Sequence, residues 1–257
     1  MKYSVCIDAV FMGNCSCVEA MRKVKEAGYQ AVEFWSWWDK DMEEIRRAKT
    51  ELGLEVAAFC TEFGNPGDAG RRQEYLEGLK RSMEAAEKLD CSVLIAQAGW
   101  EYDSFSKGIT RSRHRADFLK TMEKAAKLVE TTGITLVIEP LNLLVDHPGY
   151  HLSSSLDAFD VVDQIGSRQV KVLFDIYHQQ ITEGNLIMNI TEHLDRIGHF
   201  HAAGNPGRTE ITKGEIHYRH LLEELEQRKY DGYIGLEYMT KEDPVKGLIE
   251  TREMVLA

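Results

Sequence analysis

Four polar residues stand at the ends of apolar runs. Glu139 closes Ile134-Thr-Leu-Val-Ile138, Asp175 closes the run from Val170 to Phe174, His201 the run from Ile197, and Glu237 the run from Tyr233. Short runs rich in β-branched and aliphatic residues read as strands buried on both faces. Pro140, directly after Glu139, cannot continue a central strand. Any one of the four reads equally well as a strand-end hydrogen-bonding group. Together they are three carboxylates and an imidazole, and buried carboxylates without counter-charge repel one another. A metal ion reconciles them: the oxygen-rich set suits Mn²⁺ or Mg²⁺, with Co²⁺ and Zn²⁺ as further candidates. An ion there stabilises the enediolate left when a proton leaves the carbon beside a carbonyl. Glu139 and Glu237 come from separated strands, so they can flank a bound substrate. One carboxylate that returns the proton to the adjacent carbon gives isomerisation, and two acting on opposite faces give epimerisation. No redox or phosphate-carrying cofactor is needed.

A second layer surrounds these residues. His178, three residues after Asp175, is expected at the start of the following loop, where it donates to a substrate oxygen or caps the next helix. Arg208 follows the turn Asn205-Pro-Gly207 and suits a substrate hydroxyl, carboxylate or phosphate. Strand alternation is expected to turn one of His199 and His201 inward and the other toward the helices, with His201 as the inward ligand. Trp35, Phe63 and Trp100 fall in early loops that can wall a pocket against water, and Glu33 is a further carboxylate within reach.

The elements that must position these groups alternate throughout. Strands are predicted over 3–8, 31–34, 55–61, 92–97, 134–139, 170–175, 197–201 and 233–237. Helices are predicted over 18–27, 39–52 with Asp39 as cap, 71–89, 114–130, 155–165, 185–194, 216–229 and 243–255. Gly28, Gly53 and Gly133 stop three of them. Parallel strands need crossover connections, which helices supply. Eight such units in ~250 residues is the arithmetic of a closed (β/α)8 TIM barrel, whose active site lies at the carboxyl ends of the strands. The competing open doubly wound sheet wants a Gly-rich first turn, and Met12-Gly-Asn-Cys15 lacks Gly-x-Gly-x-x-Gly. No linker or low-complexity stretch divides the chain, so residues 1–257 are expected to form one domain.

A chain of 257 residues with 43% hydrophobic and 28% charged residues has ordinary globular composition. A net charge of −11 argues against a nucleic-acid partner. The densest basic cluster, Arg111-Ser-Arg-His-Arg115, is expected to be the solvated start of a helix. No apolar stretch approaches the ~20 residues that span a bilayer, so no membrane partner is expected. Five cysteines without Cys-x-x-Cys spacing read as reduced thiols, and a cytoplasmic location is expected.

Six segments in order carry a family resemblance: Ile138-Glu-Pro-Leu-Asn142, Asp146-His-Pro-Gly-Tyr150, Phe174-Asp-Ile-Tyr-His-Gln179, Ala203-Gly-Asn-Pro-Gly-Arg208, Gly214-Glu-Ile-His-Tyr218 and Gly235-Leu-Glu-Tyr238. In these the chain resembles the hydroxypyruvate isomerase family of the xylose-isomerase-like barrel superfamily, beside ketose 3-epimerases and endonuclease IV. The resemblance implies Glu139, Asp175, His201 and Glu237 as metal ligands, Glu139 and Glu237 as the acid/base pair, and His178 and Arg208 as substrate contacts. It also implies a homo-oligomer and a small hydroxy-carbonyl or sugar substrate. The expected activity is an aldose–ketose isomerase of the hydroxypyruvate/tartronate semialdehyde type. Where that family commonly carries glutamine this chain has His201, the habit of the 3-epimerases, so a ketose 3-epimerase or other sugar epimerase is the alternative. An endonuclease IV-like hydrolase would want more histidine ligands and a basic face. A non-catalytic sugar-binding protein would lack one of the two glutamates.

Overall fold

The computed structural model describes residues 1–240 and 242–256, without the side chains of residues 102–104. Eight parallel strands close into a barrel in sequence order. They are β1 (Lys2–Cys6), β2 (Ala31–Phe34), β3 (Glu55–Cys60), β4 (Val93–Gln97), β5 (Thr135–Glu139), β6 (Val170–Asp175), β7 (Ile197–Ala202) and β8 (Tyr233–Leu236). Closure is made by β1 against β8, where Tyr3 faces Ile234 and Val5 faces Leu236. The helices are α1 (Ile7–Phe11), α2 (Cys17–Glu26), α3 (Met42–Leu52), α4 (Arg72–Leu89), α5 (Glu101–Ser106), α6 (Arg111–Val129), α7 (Ser155–Ile165), α8 (Ile176–Thr182), α9 (Leu186–Glu192), α10 (Tyr218–Gln227) and α11 (Pro244–Thr251). The predicted architecture is therefore the observed one. Among the described residues, no helix is long and apolar enough to cross a membrane.

Most of the core lies between the sheet and the helices. Met21 and Val24 from α2, Leu79 from α4 and Phe118 from α6 pack on the outer strand face with Phe34, Phe59, Phe174 and Phe200, all buried. Each such side chain contributes roughly 1.5–3 kcal/mol of burial. A second, smaller cluster fills the inside of the barrel: Ala58, Cys60, Ile95, Val137 and Leu173. Each site residue lies two positions beyond an inward residue of its own strand, as the period of two requires.

Several boundaries differ from the prediction. The first strand stops at Cys6, and α1 begins at once with Asp8 in its first turn. Asp41, not Asp39, caps α3: its carboxylate accepts from the Glu43 and Glu44 amides at 3.0 Å each. Asp39 instead pairs with Ser36 and Lys40. The segment after β4, predicted as loop, contains α5. Likewise α8 follows β6 directly, so His178 sits in a first helical turn rather than in a loop. Arg111 and Arg113 open α6 as solvated side chains, whereas His114, the residue after Arg113, is fully buried.

Candidate metal centre

Strand pleating delivers Glu139, Asp175, His201 and Glu237 to one place. They come from the carboxyl ends of β5, β6, β7 and β8, and all are 1–6% exposed. Each offers a ligand atom, and these four atoms lie within 4.8 Å of one another. Glu237 is the first residue past β8, but its amide still donates to Ala202 O at 3.0 Å, so the ladder holds it in place. His201 Nδ1 stands between the two glutamates, 3.6 Å from Glu139 Oε1 and 3.3 Å from Glu237 Oε2.

The residues around the cluster make its members unequal. Glu237 Oε1 accepts from Trp35 Nε1 at 2.5 Å, and Oε2 pairs with Arg208 Nη2. Burial works to raise the Glu237 carboxyl, but His201 and Arg208 outweigh it and hold it well below the usual range. Asp175 spends Oδ1 on the His178 amide at 3.0 Å, capping α8, which leaves Oδ2 facing the centre. Burial raises its pKa. Glu139 Oε1 and His201 Nδ1 are buried with no hydrogen-bond partner among the described residues. Buried polar atoms are rarely left that way. Three carboxylates, one imidazole and two unpartnered ligand atoms converging on one point fit a divalent cation.

The structure places His178 and Arg208 beside the cluster, as the sequence led us to expect. His178 Nδ1 lies 2.6 Å from the Asn142 amide nitrogen, so Nδ1 accepts and Nε2 carries the proton. That Nε2 is buried, unpartnered among the described residues and 3.7 Å from Asp175 Oδ2. Burial, with Arg208 nearby, brings His178 down to about 3, so it stays neutral. Arg208 adopts a left-handed φ of 53° in a loop pinned by paired Gly204 and Thr209 backbones. Gly204 is required there, because a Cβ would lie 2.6 Å from Glu210 O. The guanidinium lies 5.7 Å over the Tyr177 ring, and its buried Nε has no partner among the described residues.

Above the cluster is a cavity of about 240 Å³ lined by Trp35, Cys60, Phe63, Gln97, His147 and Met239, together with Glu139, His201, Arg208 and Glu237. Trp35 and Phe63 thus form the expected wall. Trp100 does not line it and packs edge-on against Tyr150 instead. A wider hollow of about 650 Å³ lies at the opposite end of the barrel, lined by residues such as Glu123, Lys127 and Arg168. Conserved chemistry in this architecture belongs to the carboxyl-end face, so the smaller cavity is the candidate site.

Two expectations need correction. His199 does not turn toward the helices. Residues two apart on a strand share a face, so both His199 and His201 point into the barrel. There they meet Glu33, whose Oε1 lies 3.0 Å from His199 Nε2 and whose Oε2 lies 2.9 Å from His201 Nε2. Burial works to raise Glu33, but the two imidazoles bring it down to about 2. Glu33, His199 and His201 form a second group with metal-ligand geometry, sharing His201 with the first. Trp35 is also more than a wall, since it bonds Glu237 directly. Asn142 and His147 stand in two of the segments that carry the family resemblance, but the sequence assigned them no role of their own. Their position in the loop after β5 was the available signal.

Comparison with known proteins agrees with this geometry. The model of the family described as xylose isomerase-like TIM barrel matches residues 21–256. The hydroxypyruvate isomerase of Escherichia coli is 30% identical over 96% of this chain and 97% of its own. The 2-oxo-tetronate isomerase of Cupriavidus necator is 32% identical over 86% of each chain. A crystal structure from Brucella melitensis, titled AP endonuclease, family 2, superposes with a TM-score of 0.91 at 28% identity, covering 99% of this chain and 100% of that one.

Proposed function

The chain belongs to the xylose-isomerase-like TIM barrel family, and from that premise we propose that it is a divalent-metal-dependent isomerase of a small hydroxy-carbonyl acid. The named candidate is hydroxypyruvate to tartronate semialdehyde. Glu139, Asp175, His201 and Glu237 hold the ion, Mn²⁺ or Mg²⁺ by their oxygen-rich character. A divalent ion bound there supplies positive charge to a substrate carbonyl and its neighbouring hydroxyl, which acidifies the carbon between them.

The observation that carries the reading is the inequality of the two glutamates. Both oxygens of Glu237 are already engaged, by Trp35 and Arg208, whereas Glu139 Oε1 has no hydrogen-bond partner among the described residues. Glu139 is therefore the proton carrier. It takes a proton from the hydroxymethyl carbon, the C–H electrons form the enediolate, and the same carboxyl returns the proton to the former carbonyl carbon. The hydroxyl proton passes between the two substrate oxygens, and His178 Nε2–H is placed to donate to one of them. The free Arg208 Nε–H suits the substrate carboxylate, and a cavity of about 240 Å³ suits a short carbon chain. The two isomerases among the relatives, one named for hydroxypyruvate and one for 2-oxo-tetronate, support an acid substrate.

A second reading is ketose 3-epimerisation, favoured by histidine rather than glutamine at position 201 and by a glutamate on each side of that residue. An endonuclease reading, which the name of the Brucella protein raises, is disfavoured by a net charge of −11, which repels a nucleic-acid backbone.

Proton exchange in ²H₂O separates these readings. Metal-free and Mn²⁺-loaded protein would be mixed with hydroxypyruvate, tartronate semialdehyde and C4 to C6 ketoses and followed by NMR, after removal of the paramagnetic ion. Metal-dependent deuterium at the carbon next to the carbonyl is expected with the C3 acids. Exchange only at C3 of a ketose would move the assignment to epimerase. No exchange on any compound, with metal demonstrably bound, would remove the enediolate reading.

A further inference from the structure

The floor beneath the cluster is polar where a barrel interior is normally apolar. Ser4 from β1, Glu33 from β2 and His199 and His201 from β7 meet inside the barrel, each 0–2% exposed. Glu33 binds all three partners: Oε1 takes Ser4 Oγ and His199 Nε2, and Oε2 takes His201 Nε2. An ionised carboxylate only accepts, so each imidazole must donate through Nε2. Nδ1 of His201 points up to Glu139 and Glu237, and in the neutral ring that binds a metal Nε2 keeps the proton toward Glu33 while Nδ1 supplies the lone pair.

Two backbone features make room for this contact. The first is Gly235, the cross-strand neighbour of His201 on β8. A Cβ there would lie 2.6 Å from Glu33 Oε1 and 2.8 Å from His201 Cδ2. Its φ is not in the left-handed region, so the requirement is close approach alone. The second is a pair of register shifts, one between Val32 and Glu33 against β3 and one between Val172 and Leu173 against β7. The first sets Glu33 beside Ala58 and the second sets His199 beside Leu173. The extra residue is Ala57 on β3 in the first case, across from Glu33, and Gly198 on β7 in the second, directly before His199, which the bulge re-aims.

We propose that Glu33, held by Ser4 and His199 and given room by Gly235, is the positioning residue that fixes the ring orientation and tautomer of His201 for the metal centre. The inference rests on the metal reading of the four-residue cluster. Partners of this kind behind a ligand histidine orient the ring and raise its basicity, and their loss weakens metal binding by roughly 10–100-fold. Glu33 touches neither the cavity nor the proposed substrate, so it acts only through His201. The alternative use of the same residues, an ion held by Glu33, His199 and His201 themselves, would deprotonate the Nε2 atoms that now meet Glu33.

The test is metal affinity rather than turnover. Mn²⁺ titration by calorimetry would compare wild type with Glu33→Gln, Gly235→Ala and Ser4→Ala, with circular dichroism confirming the fold of each. One Mn²⁺ per wild-type chain is expected. Glu33→Gln and Gly235→Ala should each weaken it by roughly 10–100-fold, and Ser4→Ala by less than about tenfold. Long-range ¹H–¹⁵N spectra of the Zn²⁺-loaded wild type should show Nε2–H on both His199 and His201. Wild-type affinity in folded Glu33→Gln or Gly235→Ala, or absence of the Nε2–H signals, would overturn the inference while leaving the metal centre standing. A wild-type chain that takes up none of Mn²⁺, Mg²⁺ or Zn²⁺ would instead remove the metal reading, and this inference with it.

Discussion

The inside of the barrel has two unlike halves. From β3 to β6 it is filled by Ala58, Cys60, Ile95, Val137 and Leu173, a dry cluster of the usual kind. From β7 round to β2 it is filled by His199, His201, Ser4 and Glu33, with Gly235 leaving space between them. The dry half places Glu139 and Asp175 by packing, since Val137 and Leu173 lie two residues below them, and Asp175 is held further by the His178 amide. The polar half supports His201 by hydrogen bonds. A carboxylate ligand needs only to be placed, because either oxygen can bind an ion. An imidazole must also have the right nitrogen deprotonated and the right ring face turned. Buried polar networks are costly unless satisfied, and here each group of the network is paired: Glu33 takes Ser4, His199 and His201.

That contrast can be broken most sharply at the glutamates. Glu139→Gln and Glu237→Gln should each lower turnover by about 10³-fold or more on the substrate that shows exchange. The melting midpoint of metal-free Glu237→Gln should fall, because buried Arg208 loses its counter-charge, so turnover is compared at a temperature where each variant is shown to be folded. Retained activity in Glu139→Gln would sink its assignment as the proton carrier, and retained activity in Glu237→Gln would remove Glu237 from the working site. On the dry half, Ile95→Ala or Leu173→Ala should cost about 2–5 kcal/mol in urea unfolding, with Mn²⁺ affinity close to wild type. A large loss of affinity at intact stability would mean that the two halves do not divide the work as described.

A histidine pair outside the barrel serves as reference for the interior one. His114 and His151 have ring centroids 4.4 Å apart behind the loops that follow β3 and β5. Burial, with His151 beside it, lowers His114 to about 4, and burial lowers His151 as well. A depressed imidazole binds fewer protons folded than unfolded, so acid favours unfolding. Its contribution is complete above the unfolded pKa near 6.5 and is lost as pH falls toward about 4. The expected loss is on the order of 2 kcal/mol, read from urea midpoints across that window, and His114→Gln should flatten the profile. An unchanged profile in the variant would contradict this reading of the pair. The smallest effect expected is at Trp35, where Phe keeps the wall but loses the bond to Glu237. Trp35→Phe should lower turnover by about tenfold, and a loss as large as that of Glu237→Gln would mean that Glu237 does nothing in the site without the Trp35 bond.

Much of this was legible beforehand because strands and barrels obey short periods. The ends of four apolar runs named Glu139, Asp175, His201 and Glu237, and the β/α count named the barrel. Local competition explains the misplaced boundaries. Asp39 and Asp41 are both good caps, and side-chain pairing with Ser36 and Lys40 removed Asp39 from the choice. After β1 and β6, Asp8 and Asp175 read as strand ends, but both also favour a first helical turn, and α1 and α8 start there. Trp35 read as a packing residue because its indole N–H partner, Glu237, lies 202 positions away.

What the chain determined by itself was the kind of centre: three carboxylates and an imidazole at consecutive strand ends can meet only if the strands are parallel neighbours. What only the tertiary structure decided was how the imidazole is held. Glu33 and His201 are 168 residues apart, on strands that no local pattern relates. They meet because a closed barrel has a single interior, shared by every inward-facing side chain. Strand alternation assigns a residue to that interior, but barrel closure and the register shifts decide which residue it finds there.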